Sequence, residues 1–297
     1  VSQFNEDWRR HMNTYYYGYR SQKETYKEIG KVVTLPFKKI QSFMFYEDSA
    51  QIAVLGRLDQ GQRDVSLIIT NRDTLQERER FEKWEEKIIK LKEKKKKTKK
   101  DSLAIKKKYK ENVLWIKNEV DYGQFHQRMS WSFDGNKLAY AKYHFGQNQS
   151  QVYDIKIYDK TSDRHYWLTR SKRATYPTWL DSNKVAYVSH YNSVSNIFIS
   201  DLSGQEVTNL TGFTNNTQIA YLAISPDRDK IAFAMNPENG NMDIYTIDLK
   251  SEALTRITED SMADILPVWH PNGEAISYTS NTNGVPNIYT VNLNTKK

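Results

Sequence analysis

The amino-acid sequence predicts an all-β fold, a β-propeller of four-stranded blades with five repeats visible, an N-terminal helix and a Lys-rich helical hairpin inserted in the first blade. Three observations carry this. Tyr (20), Phe (11) and Trp (7) supply much of a hydrophobic fraction of only 38%, and flat rings suit the pleated surface of strands. A hairpin pattern recurs, and its copies end on Tyr140, Tyr187, Phe233 and Tyr278, spaced 47, 46 and 45 residues apart. One block of charge interrupts that register once. Units of about 45 residues holding three or four short alternating strands are the mark of propeller blades.

Taken in chain order, the first element is a helix. Phe4, Trp8, Met12, Tyr15, Tyr16 and Tyr19 fall at helical spacing, which places an amphipathic helix within a segment of residues 1–30. The propeller is expected over residues 31–297. VVTLPF (32–37) reads as a fourth strand with no earlier blade to join. Propellers commonly close their ring with a strand donated by one terminus, which removes an exposed sheet edge; either these five blades close on themselves or the chain continues into further blades. Blade one follows, with FYEDSAQIAV (45–54) as its hairpin and Asp48 at the turn, DVSLIIT (64–70) as its third strand and VLWI (113–116) as its fourth. Residues 73–111 are then an insertion between strands three and four. Inside it Phe81, Trp84, Ile88 and Leu91 form a heptad-like stripe, and Leu103, Ile105 and Tyr109 offer a shorter partner face. The result is a helical hairpin with lysines at its tip.

Four clearer blades come next. WSFDGNKLAY (131–140), WLDSNKVAY (179–187), ISPDRDKIAF (224–233) and WHPNGEAISY (269–278) each join an aromatic or branched residue to an Asp, Asn or Gly turn and an alternating strand, the make-up of a hairpin. DIKIYD, NIFISD, DIYTID and NIYTVN supply third strands, and HYWLT, EVTNLT and ALTRIT supply fourth strands. The last unit stops after its third strand. The loop between strands three and four opens on the same propeller face as the loop between strands one and two. The insertion is therefore expected on the face carrying Asp134, Asp227 and Asn272.

At these residues a family becomes recognisable. The pattern P-x-W-x-x-D-G-x-x-I-A-[FY], then N-I-Y-x-x-[DN], then L-T, resembles the TolB-type propeller repeat, also called the WD40-like or PD40 repeat. It runs through Pro177 and Trp179, through Ser225, Pro226 and Asp227, and through Pro267, Trp269 and Gly273. The second copy departs from it with Leu180, Asp181 and Ser182, one residue short, and the third with Ile224 for Trp and Arg228-Asp229 for the Gly turn. The same repeat occurs in the Tol–Pal envelope protein, in tricorn-like proteins and in propellers of prolyl-oligopeptidase relatives, so it specifies fold more than function. The N-terminal helix resembles the last helix of gluzincin-type zinc peptidase domains. The resemblance implies a fragment of a larger bacterial envelope protein, in a periplasmic or otherwise extracytoplasmic compartment. An N-terminus reading VSQFNEDWRR fits a cut through a longer chain, and a complete lack of cysteine suits that compartment.

No catalytic constellation is visible. His11, His126, His144, His165, His190 and His270 include no i, i+4 pair and no H-E-x-x-H, so no helical zinc site is encoded; each is expected to be satisfied or solvated. There is no G-x-S-x-G elbow, P-loop or Rossmann glycine pattern. Asp154, Asp159, Asp201, Asp243 and Asp248 recur near strand ends, where turn or capping roles explain them better than a channel metal or acid–base pair. Trp131, Trp179 and Trp269 share one repeat position, which marks them as packing between blades rather than a sugar platform. No cofactor is expected.

The net charge of +8 is local. Residues 78–117 hold 17 Lys/Arg against 7 Asp/Glu, an excess of ten, so the rest of the chain sums to −2. Lys94, Lys95, Lys96, Lys97, Lys99 and Lys100 at the hairpin tip could meet an anionic envelope surface through headgroup attraction, or simply keep the tip solvated. Nucleic acid ranks last, because no aromatic or Arg is interleaved to stack on or read bases. No apolar run approaches the roughly 18 residues that span a bilayer. The leading expectation is a non-enzymatic protein-interaction scaffold of the bacterial cell envelope with an unidentified protein partner. The alternatives are a gating or positioning propeller of a peptidase whose catalytic domain lies elsewhere, and a polyanion binder through the hairpin.

Overall fold

The computed structural model describes residues 2–21, 35, 37–46, 51–59, 61, 63–94, 96, 98–107, 109, 114–205, 207–237, 240–282 and 284–295. The chain divides into two compact units, Val1–Pro36 with Asp73–Trp115, and Phe37–Arg72 with Ile116–Lys297.

The second unit is a five-bladed propeller. Blade one is β1 (Lys39–Tyr46), β2 (Gln51–Arg57), β3 (Val65–Arg72) and β4 (Trp115–Gly123). Blade two is β5 (Phe125–Trp131), β6 (Lys137–Phe145), β7 (Gln151–Asp159) and β8 (Arg164–Trp167). Blade three is β9 (Ala174–Trp179), β10 (Lys184–Tyr191), β11 (Val194–Asp201) and β12 (Val207–Asn209). Blade four is β13 (Gln218–Ile224), β14 (Lys230–Asn236), β15 (Asp243–Asp248) and β16 (Leu254–Arg256). Blade five has three described strands, β17 (Asp264–Trp269), β18 (Ala275–Ser280) and β19 (Asn287–Asn292). The sheets are antiparallel meanders joined by short turns, save that the insertion joins β3 to β4 in blade one. The fourth strand of blade one is longer than VLWI and starts later. Its exposed Lys117, Asn118 and Glu119 hide it from a search for apolar alternation.

The core lies between blades. Each sheet presents small or branched residues to the next blade, as Ala139, Ala141, Ile155 and Ile157 of blade two do to Trp179, Val185 and Tyr187 of blade three. The same wedge is filled by Ala186, Val188 and Ile197 against blade four, and by Ala232, Ala234 and Ile244 against blade five. Among the described residues, blade five has no such cover on its far side. Ile288, at the position of the fully buried Ile155, Ile197 and Ile244, is 79% exposed. Ser277 and Thr290 beside it exchange a 2.8 Å hydroxyl contact, where blades two and three carry alanine and isoleucine. VVTLPF, read as a fourth strand, and the Asp48 turn lie largely outside the described residues.

In the first unit, α1 (Ser2–Ser21) carries exposed Phe4, Trp8 and Met12; the side chains of Tyr15, Tyr16 and Tyr19 lie outside the described residues. The insertion forms α2 (Thr74–Glu93) and α3 (Lys99–Lys106), between β3 and β4 in sequence. Asp73 caps α2 by accepting from the Gln76 N–H at 2.9 Å. Thr98 and Asp101 form a reciprocal capping box on α3, which offsets the unpaired N–H groups of a helix start. Ile88 is buried, and Tyr109 meets Phe81 and Trp84 at 5.1 and 5.4 Å between ring centroids. Leu103, expected on the partner face, is exposed instead, and Ile105 is half-buried. In an eight-residue helix those two side chains cannot both face α2, since they lie about 200° apart around the axis.

Candidate functional site: a cationic mouth at the propeller centre

The innermost strands of the blades are not regular. In β9, β13 and β17 the register slips by one residue between Thr175 and Thr178, Ala220 and Ala223, and Ile265 and Val268, and in β5 by two between Phe125 and Met129. Tyr176, Tyr221 and Leu266 sit in these bulges at φ of 52°, 60° and 60°, a left-handed conformation that side chains with a Cβ adopt at a cost of about 1 kcal/mol or more. A bulge re-aims the side chain it carries. Here it gathers the residue three places before each repeat Trp or Ile: Arg128, Tyr176 and Tyr221.

These side chains form one cluster. The Arg128 guanidinium lies 5.3 Å from the Tyr221 ring centroid, Tyr176 lies edge-on to Tyr221 at 5.1 Å, and His126 lies edge-on to Tyr176 at 4.5 Å. His126 is half-buried and its buried Nδ1 has no partner among the described residues, so that nitrogen is not satisfied as expected. Burial, then the nearby His190 and Arg128, hold its pKa down at about 4. Burial pushes the Tyr176 phenol up to about 12, helped by Tyr221. At neutral pH the cluster therefore carries one charge, the Arg128 cation.

Above it opens a cavity of about 500 Å³, walled by Phe133, Pro177, Leu222, Pro226, Pro267 and Val268 among others, with Arg128 and Arg228 as its charged residues. Arg228 occupies the turn position that glycine holds in blades two and five, with φ of 62°, and its guanidinium stacks 3.6 Å over the Phe133 ring. Among the described residues no carboxylate lines this mouth, and neither arginine forms an ion pair. Two unneutralised cations on a mostly apolar concavity suit an anionic group carried on an apolar or extended chain.

The other expected features fall elsewhere. Trp131, Trp179 and Trp269 pack between blades, and each indole donates to the preceding blade, at Met44 O (3.3 Å), Ser130 O (3.1 Å) and Ala223 O (3.0 Å). Asp159 and Asp248 cap the turns that follow them. Asp154 is buried under Thr169, Ser171, Lys172 and His144. His165 meets the Tyr140 hydroxyl, His190 meets Ser195 and Thr175, and His270 meets Asn272. At the hairpin tip Lys94 pairs with Asp101 at 3.0 Å, while Lys96, Lys99 and Lys100 are exposed. Lys95 and Lys97 lie outside the described residues. The mouth itself was not anticipated. Its signal was present, in that the position three before the repeat Trp or Ile holds Arg, Tyr and Tyr in blades two to four rather than the small or branched residues of a plain inner strand.

The tandem blades, each a meander of three or four strands, define a repeat β-propeller. The chain belongs to the PD40 family, the TolB β-propeller domain, whose description matches residues 132–297. It is similar to the Tol-Pal system protein TolB of Ruthia magnifica subsp. Calyptogena magnifica, 30% identical over 131 residues, which cover 43% of this chain and 30% of that protein. The chain thus spans less than a third of that relative. Among solved structures it is similar to a TolB from Agrobacterium tumefaciens, with a TM-score of 0.57 and 14% identity over 86% of this chain and 77% of that one. A puromycin-hydrolysing peptidase of Mycobacterium tuberculosis matches with a TM-score of 0.58 and 11% identity, over 87% of this chain and 37% of that one. At these identities the structural likeness shows the fold.

Proposed function

We propose that this propeller is a non-enzymatic protein-interaction scaffold of the bacterial cell envelope, and that its central mouth receives an acidic stretch of a partner protein. One observation carries the reading: Arg128 and Arg228 present two cations, without an ion-pair partner among the described residues, on an apolar cavity that no described carboxylate lines. A guanidinium is a fork of donors matched to a carboxylate. Burial, which lowers the pKa of Arg128, is offset in part by Tyr221 and Tyr176, so an incoming carboxylate would complete a half-made site. The resemblance of the repeats to the Tol–Pal envelope protein supports the extracytoplasmic setting. The Ser195–His190 contact does not favour hydrolysis, because Ser195 is fully buried and out of reach of a substrate.

The test is fluorescence anisotropy with matched peptides, acidic, neutral and basic, over the same apolar framework. The acidic peptide is expected to bind at least tenfold tighter, and Arg128→Gln to abolish the preference. Equal binding of all three, or cleavage of the peptides by the isolated chain, would sink the reading.

A further inference from the structure

Asp264, the first residue of β17, is fully buried, and neither of its carboxylate oxygens has a hydrogen-bond partner. Asp243, the first residue of β15, is buried as well. Its Oδ2 accepts from Arg256 Nη2 at 2.7 Å, and its Oδ1 has no partner. The two are tied through the backbone, since the Asp264 N–H donates to the carbonyl of Met242 at 2.6 Å. Burial raises the pKa of Asp243 against the pull of Arg256, and the negative charges of Asp264 and Asp260 add to that rise.

The repeat shows how unusual this junction is. At the position of Asp243, blade two has Asp154, which accepts from Thr169 Oγ1 (2.8 Å), Lys172 N (2.9 Å), Ser171 N (2.6 Å) and His144 Nε2 (2.8 Å). Blade three has Asn196, which accepts from Thr211 Oγ1 (2.8 Å) and Phe213 N (2.6 Å). In blade four the matching Thr258 still accepts from the Ile244 N–H at 3.0 Å, but the loop beyond it sends no N–H to Asp243. At the position of Asp264, blades three and four carry buried Ala174 and Ile219. A carboxylate thus stands where blades three and four place hydrocarbon, beside a second carboxylate that lacks the donors its counterparts have. Buried polar groups are almost always partnered, and an orphan calls for a bound ion, a proton or a function.

We propose that Asp264 and Asp243 hold a hard divalent cation of the Ca²⁺ class at the junction of blades four and five. Arg256 neutralises one of the two carboxylates, which leaves one negative charge buried. Three free oxygens, both of Asp264 and Oδ1 of Asp243, are the protein's carboxylate donors. All are hard oxygen ligands, which suit Ca²⁺ or Mg²⁺ over thiophilic metals. No third His, Cys, Asp or Glu completes the group among the described residues, so backbone carbonyls and water supply the remaining ligands. Sites of such low ligand charge bind at about 10⁻⁴–10⁻³ M, as extracellular Ca²⁺ modules do. The cation would clamp the start of β15 to the start of β17 and so fasten blade five to blade four.

The test needs no variant at first. Tb³⁺ added to the whole chain is expected to show luminescence sensitised by nearby tyrosine and tryptophan, and Ca²⁺ to displace it. At 10 mM Ca²⁺ against EDTA, the melting temperature should rise by about 5 °C. Asp264→Asn, which is isosteric, and Asp264→Ala, which copies blade three, should both lose the luminescence and the shift. No shift with Ca²⁺, Mg²⁺ or Mn²⁺, or a shift that survives unchanged in both variants, overturns the proposal. If, in addition, the variants melt higher than the parent without any cation, Asp264 is a destabilising buried carboxyl with no ligand instead.

Discussion

The indole Nε1 of Trp179 donates to the carbonyl of Ser130, 3.1 Å away on the preceding blade. Trp131 and Trp269 repeat this link at their own blades. Blade four has no indole, because Ile224 takes the position, and Thr178 Oγ1 of blade three donates forward to Leu222 O at 3.1 Å in its place. The repeat tryptophan is therefore both wedge and latch. Trp179→Phe keeps most of the ring and leaves the latch open, at an expected loss of about 1 kcal/mol. Trp179→Ala also empties the wedge and should lose about 3–5 kcal/mol. Urea unfolding of the two variants measures both. Equal losses would mean that the hydrogen bond contributes nothing.

Much of this architecture was legible because each blade repeats one solution to one packing problem. Trp131, Trp179 and Trp269 announce the wedge, and Asp134, Asp181 and Asn272 announce the turns. The central mouth was not legible, because it depends on bulges. A one-residue slip in β9 and β13 turns Tyr176 and Tyr221 toward the axis without changing the alternation that marks the strand. The full length of β4 was hidden for the opposite reason. Its charged residues look like loop, and only the sheet shows Asp121 near its end reaching Lys142 at 2.6 Å and Lys156 at 2.8 Å.

That reach makes Asp121 an acid-sensitive bolt between blades one and two. It also accepts from the Tyr140 hydroxyl at 2.8 Å. Burial opposes its charge, but the hydrogen bonds from Lys142, Lys156 and Tyr140 win and hold its pKa at about 2, below the ordinary 3.8. The stabilisation is present above pH 3.8 and is lost as pH falls through 3.8 towards 2. Its size is about 2 kcal/mol. Asp121→Asn should flatten that part of the stability profile. At pH 7 the same change leaves two lysines facing each other half-buried and should destabilise by about 2–4 kcal/mol. A variant whose stability still falls by the same amount between pH 4 and 2 would show that other groups carry the transition.

His126 works in a separate, higher window. An unfolded histidine takes up its proton near pH 6.5, whereas folded His126 stays neutral down to about 4. The unfolded chain therefore binds more protons between those values, and stability falls as pH drops through them. The loss is about 3 kcal/mol at full extent. His126→Phe keeps a ring against Tyr153 and Tyr176 and removes the proton, so stability between pH 6.5 and 4 should decline less than in the parent. Chemical denaturation at pH 7, 5.5 and 4 reads the difference. Parallel profiles would refute a neutral, buried His126.

Arg228 separates strain from contact. Its left-handed backbone is one that glycine adopts freely, and its guanidinium stacks on Phe133. Arg228→Ala loses the stacking and keeps the strain, whereas Arg228→Gly loses both. The glycine variant should be more stable than the alanine variant by about 1 kcal/mol, while both weaken the acidic peptide alike. If alanine is the more stable of the two, the turn is not strained.

The lysines of the insertion are testable apart from the mouth. Lys94 is engaged by Asp101, whose carboxyl the Thr98 N–H, Lys94 and the Thr98 hydroxyl hold at about 2. Lys96, Lys99 and Lys100 are exposed and carry most of the tip's free charge. Near an anionic bilayer each lysine contributes about 1 kcal/mol. Changing these three to glutamine should therefore lower retention on vesicles containing anionic lipid by two orders of magnitude at low salt. Lys94→Gln alone should change it little, because that charge is already spent within the protein. The attraction should also fade as salt is raised and the screening length shortens. Retention that is indifferent to both the triple change and salt would mean that the tip only keeps the hairpin solvated. Acidic-peptide binding, which depends on Arg128, should be unaffected by any of the lysine changes.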